Sequence, residues 1–82
     1  MTVYAIKKAV MKYGEALKRD GLKTQYLIVR AALADLHYNR DEFHLNELID
    51  LLVEMQTATE YNQSEKTLQL LGQAIAEAKK PQ

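Results

Sequence analysis

The sequence predicts an all-α fold: a small antiparallel four-helix bundle with helices over 3–19, 25–38, 44–57 and 64–80. Three observations predict it. Apolar residues recur at spacings of three and four in these stretches, the seam of a helix that packs against neighbours. The connections between the stretches are short, which makes sequential helices antiparallel neighbours. One stretch, Thr24–Leu36 (TQYLIVRAALADL), carries apolar residues on two arcs, and a helix apolar on both sides is packed on both sides.

Thr2 stands where it would cap the first helix, and Val3, Ile6, Val10, Tyr13 and Leu17 form that helix's seam. Gly14 lies beside the seam. A helical glycine costs up to ~1 kcal/mol relative to alanine, so close approach of a neighbouring helix is its expected reason. Asp20-Gly21 ends the helix, with Gly21 suited to the left-handed C′ position. Thr24 is the expected cap of the second helix. At about 100° per residue, Tyr26, Ile28, Val29, Ala32, Leu33 and Leu36 cover an arc of roughly 160°. Leu27, Ala31 and Ala34 form a smaller arc across Arg30. The second helix is therefore expected at the centre of the bundle, with Leu33 in its core, and to fray near Asn39.

A polar connection, HYNRDEFH, follows, and the third helix starts between Asp41 and Leu45. Its core face is Leu45, Leu48, Ile49, Leu52 and Met55, with Glu47, Asp50 and Glu54 as an acidic stripe opposite. Thr57–Ser64 (TATEYNQS) reads as a loop, being rich in residues that bond their own backbone. Asn62 with Glu65, or Ser64 itself, starts the last helix. Leu68, Leu71, Ile75 and Ala78 are its seam, and Gly72 is expected to permit close packing. Lys79 and Lys80 suit the helix C-terminus, and Pro81 stops it. The alternative architecture is a three-helix core whose fourth helix docks loosely and swaps into a dimer.

Composition narrows the function classes. A chain of 82 residues makes one small helical domain with a thin stability margin, since only ~60% of its unfolded surface is buried. An apolar share of 48% supports a packed core rather than disorder. With no cysteine there is neither a disulfide framework nor a thiolate metal site, and helix packing or self-association must compensate. No run of apolar residues approaches the ~18 that span a membrane, and the N-terminal MTVYAIKKAV lacks the order of a secretory signal. A reducing cytoplasm is the expected compartment. The net charge of zero argues against a dedicated nucleic-acid binder. Its distribution is uneven: residues 1–30 hold seven Lys/Arg against Glu15 and Asp20, whereas residues 31–82 hold four against nine acids. The simplest reading is that the two halves attract each other within the fold.

The constellations that carry chemistry are few. Asp35-x-His37-x-Asn39-x-Asp41 has the oxygen rhythm of an EF-hand calcium loop. It fails at the two strictest positions, where Arg40 replaces the turn glycine and Asn46 the bidentate glutamate. His37, Asp41, His44 and Glu47 are spaced for a transition-metal site on a continuous helix, but Asn39 and Asp41 break the helix there. No metal or other cofactor is expected. Ser64 is the only serine and sits at a helix start, no glycine cluster cradles phosphate, and Glu47, Asp50 and Glu54 lie opposite a core stripe rather than in a pocket. An enzyme is not expected.

What remains is a surface. Tyr4 and Met11 lie on one flank of the first helix, off its seam, between Lys7/Lys18 and Lys8/Glu15. An apolar pair rimmed by charge is the pattern of a contact patch, with tyrosine as anchor and methionine as adaptable filler. The candidate partner-binding residues are therefore Tyr4, Lys7, Lys8, Met11 and Lys18. In the competing arrangement the fourth helix folds over this flank and buries both apolar side chains. Small size, no cysteine and four antiparallel helices give an architecture that resembles the cytosolic bacteriocin immunity proteins of the enterocin A type. Phage- and plasmid-encoded inhibitors and adaptors fit the same description. The expected function is a small cytoplasmic interaction protein acting on a protein partner or a second copy. The alternative is a basic face on the first helix that binds nucleic acid or an anionic membrane surface.

Overall fold

The computed structural model describes residues 2–81. They form α1 (Val3–Arg19), α2 (Lys23–Tyr38), α3 (Glu42–Thr57) and α4 (Glu65–Ala78), with no strand among them. α1 packs on α2 and α4, and α3 packs on the same two helices, so the four close an antiparallel ring. α1 and α3 stand at opposite corners. They meet across the diagonal through core side chains, as where the Tyr13 hydroxyl lies 3.9 Å from Met55 Sδ. The molecule measures 31 × 20 × 19 Å, its long axis being the helices of sixteen or seventeen residues, about 24–26 Å at ~1.5 Å per residue, plus the turns at their ends.

α1 follows its sequence pattern. Val3, Ile6, Val10, Tyr13 and Leu17 are all buried, joined by Gly14 and Ala16. Thr2 occupies the N-cap position with its carbonyl accepting from Ile6 N, although its side chain makes no capping bond. At the other end Gly21 takes φ 80°, open to a residue without Cβ. Gly21 N donates to Lys18 O at 3.1 Å and Leu22 N to Leu17 O at 2.9 Å, a Schellman turn. That turn launches α2 at Lys23 with Leu22 in the cap position, so Thr24 lies inside the helix rather than capping it.

The expectation of a central second helix is overturned. Only Val29, Leu33 and Leu36 of α2 are buried; Ile28 and the whole second arc, Leu27, Ala31 and Ala34, are exposed. In a closed ring every helix has two neighbours on its inner side and none is enclosed, so a second apolar arc faces solvent. α1 is the most deeply buried helix instead. The alternative with a loosely docked fourth helix also falls, because α4 packs on both α1 and α3 with Leu71, Ala74, Ile75 and Ala78 buried.

α3 starts at Glu42 behind Asp41, whose side chain accepts from His44 N at 2.8 Å. Its core face is Leu48, Leu52 and Met55, with Leu45 and Ile49 partly buried, while Glu47, Asp50 and Glu54 face outward. α4 is capped by Ser64 and ends at Ala78, two residues before the expected end. Leu71, Ile75 and Ala78 of the predicted seam are buried; at its first turn Thr67 is buried instead of Leu68, which is exposed. Asp20 explains this. Its carboxylate accepts from Ser64 N at 3.1 Å and from the Thr67 hydroxyl at 2.6 Å, tying the end of α1 to the start of α4. With its one proton given to Asp20, the Thr67 hydroxyl can only accept from Ser64 Oγ, 2.9 Å away. Gly72 has open space where a Cβ would stand, so close packing is not its reason.

The loop before α4 reaches the core. Gln63 accepts from the Tyr13 hydroxyl at 2.8 Å through Oε1 and donates to the Met55 carbonyl at 3.2 Å through Nε2. Burial pushes the Tyr13 phenol above its ordinary range, so it stays protonated as the donor.

Candidate functional site

A cleft of about 430 Å³ lies between α1 and α2. Val10, Val29 and Leu33 make its apolar floor. Lys7, Met11, Gly14 and Glu15 contribute from α1, and Tyr26, Arg30, Ala34, His37 and Tyr38 from α2. The Tyr26 ring packs beside Gly14, where a Cβ would stand 3.4 Å from Tyr26 Cδ1, at ordinary van der Waals contact. The close approach expected at Gly14 is thus to a ring rather than to backbone. Tyr26 is then fixed from two further sides. Arg30 donates to its hydroxyl at 3.2 Å, and Lys18 Nζ lies 5.6 Å from its ring centroid.

The partner-binding candidates fall in two neighbouring groups. Lys7 and Met11 line the cleft, and Lys18 reaches it by way of Tyr26. Tyr4 and Lys8 lie on the outward face of α1, Lys8 Nζ sitting 5.5 Å from the Tyr4 ring centroid. Tyr4 is 71% exposed and Met11 51%, so α4 does not fold over this flank. Tyr38, 83% exposed, extends the apolar surface at the end of α2. Sequence reasoning missed the contribution of α2. The available signal was Tyr26 and Arg30 one helical turn apart, facing a seam glycine across a tight turn.

The residues weighed as metal ligands do other work. His44 Nδ1 lies 2.7 and 2.8 Å from the two carboxylate oxygens of Asp41, which also takes the His44 backbone N–H. These bonds hold the Asp41 carboxyl below the usual carboxylate range. The Asn39 side chain donates to the Asp35 carbonyl at 3.2 Å and Arg40 Nε to the His37 carbonyl at 3.3 Å, closing the end of α2. Among the described residues no three potential ligands come together. His37 turns toward the cleft, where its Nδ1 is buried without a hydrogen-bond partner among the described residues.

Charge is laid out differently from the sequence expectation. α1 holds five cations against Glu15, and α3 holds Glu42, Glu47, Asp50 and Glu54 with no Lys or Arg. These helices occupy opposite corners, so their charged faces point away from each other. The ion pairs among the described residues, His44–Asp41 and Lys80–Glu77, do not link them. No close ion pair among the described residues joins residues 1–30 to residues 31–81. Among the described residues no helix is long and apolar enough to cross a membrane. In comparisons with protein-family models, curated proteins and solved structures, the chain has no match.

Proposed function

We propose that this chain is a protein-interaction module, acting by binding rather than by catalysis, whose contact surface is the outward face of α1 with the α1/α2 cleft beside it. One observation carries the reading: Tyr4 and Met11 stand exposed next to an apolar-floored cleft, flanked by Lys7, Lys8 and Lys18. Aromatic and methionine side chains within a charged rim are the composition of an interface anchor. An inhibitor, adaptor or immunity-type role fits such a surface, and a chain without cysteine suits a reducing cytoplasm. The test is a photo-crosslinking residue at position 11 in the native host. The expected result is a discrete protein adduct that Tyr4→Lys removes; no protein adduct at all would refute the reading.

A second reading rests on Lys8, Lys12 and Arg19, exposed on the outer side of α1 beside Tyr4. Such a face binds an anionic membrane surface or nucleic acid. Glu15 interrupts it, and the zero net charge gives no long-range pull toward a polyanion. Retention on anionic vesicles or DNA that weakens with salt would favour it over the first reading.

A further inference from the structure

We propose that the occupant of the α1 face is the α3 face of a second copy of this chain, so that copies associate head to tail; this rests on the reading of α1 as a contact surface. Two observations point to it. The first is charge. The outward face of α1 presents Lys8, Lys12 and Arg19 around Glu15, with Lys18 at its edge, whereas the outward face of α3 presents Glu47, Asp50 and Glu54. Because the two faces sit at opposite corners of the ring, neither can satisfy the other within one molecule, and a second copy supplies the missing partner. A net charge of zero leaves no overall repulsion between copies.

The second observation is the match of the two stripes. Phe43, 65% exposed, heads the acidic stripe at spacings of four, three and four to Glu47, Asp50 and Glu54, all on one helix face. Tyr4 and Lys8 are the second and sixth residues of α1, and Phe43 and Glu47 are the second and sixth of α3. In an antiparallel ring α1 and α3 run in the same direction. A copy displaced along the diagonal therefore lays α3 parallel to α1, bringing Phe43 to Tyr4 and Met11, and Glu47 to Lys8. Exposed ion pairs contribute little singly, so the aromatic contact is the anchor and the charges set partner and register. One face of each copy is used per contact and the other stays open, so the assembly is an open chain rather than a closed dimer.

The experiment is sedimentation of the purified chain from ~10 μM to ~1 mM, at low salt and at ~1 M, where the screening length falls to ~3 Å. At low salt the average mass is expected to climb past the dimer with concentration, and at high salt to fall back toward the monomer. Met11→Glu damages one face and Phe43→Ala the other, both at exposed positions, and melting curves check that each variant stays folded. Each variant alone is expected to be monomeric. Their mixture is expected to form a one-to-one heterodimer and nothing larger, because one intact face of each kind remains. A parent chain monomeric throughout, or a Phe43→Ala variant that still pairs with itself, would overturn the proposal. A monomeric parent that nonetheless crosslinks another protein through position 11 in the host would overturn this inference while leaving the interaction module standing.

Discussion

Replacing Tyr13 by phenylalanine removes one oxygen atom from the centre of the bundle and nothing else. The ring is fully buried, and its hydroxyl donates to Gln63 Oε1 at 2.8 Å, joining α1 to the loop before α4. The substitution loses a neutral hydrogen bond, worth ~0.5–1.5 kcal/mol net. It also leaves the Gln63 carbonyl without that donor. Gln63 is only partly buried, so water can replace much of the loss, and the full penalty of ~1–3 kcal/mol for an orphaned buried acceptor does not apply. A net destabilisation of about 1 kcal/mol is expected, and in a domain of this size it lowers Tm by ~4–8 °C. Urea melts read by far-UV circular dichroism should show a lower midpoint with an unchanged slope. A double-mutant cycle with Gln63→Ala should return ~0.5–1.5 kcal/mol of coupling. Gln63→Ala alone should cost more than Tyr13→Phe, because Gln63 Nε2 also holds the Met55 carbonyl. A Tyr13→Phe variant that melts with the parent, or an additive cycle, would refute the assignment of the loop as part of the core.

Gly72→Ala should stabilise the fold by ~0.5–1 kcal/mol, since open space surrounds a helical glycine there, whereas Gly21→Ala should destabilise it by ~1 kcal/mol because φ is 80°; thermal melts of the pair must move in opposite directions. Bonds from Thr67 and Ser64 hold the Asp20 carboxyl below its ordinary value, so its contribution is fully present above about pH 4 and is lost as pH falls through the lowered folded value. The gap in Tm between the parent and Asp20→Asn should therefore be steady near neutrality and close in acid, and a gap that widens there would contradict the bond. Leu33→Ala, at a buried position, should cost ~2–5 kcal/mol, while Tyr4→Lys/Met11→Glu should melt with the parent; chemical denaturation of both distinguishes core from surface.

The fold was legible wherever a helix obeys one local rule. α1 repeats its apolar seam with no competing face, and Asp20-Gly21 offers a turn that only the left-handed region satisfies, so seam and end both come from the sequence. α2 misled because alanine and leucine serve an exposed helical face almost as well as a buried one. The seam of α4 departs from its pattern only at its first member, for a tertiary reason. Thr67 is buried because a carboxylate from the end of α1 takes its proton, and no pattern within α4 encodes Asp20. Gln63 escaped notice likewise, as a polar residue in a polar loop whose partner is fifty positions away. The site was half legible. Tyr4 and Met11 stood out as apolar residues off the seam, but the cleft beside them needed the handedness of the turn that lays α2 against α1.

Gly14 tests how much room the cleft leaves beside α1. In a helix interior a glycine costs ~1 kcal/mol relative to alanine. A Cβ at this position would stand 3.4 Å from Tyr26 Cδ1 and 3.6 Å from Cε1, ordinary van der Waals contact, so alanine fits without displacing the ring that Lys18 and Arg30 hold from its other sides. Gly14→Ala should therefore stabilise the fold by ~0.5–1 kcal/mol, read as a raised midpoint in a urea melt. A variant less stable than the parent would refute the spacing between the Tyr26 ring and α1.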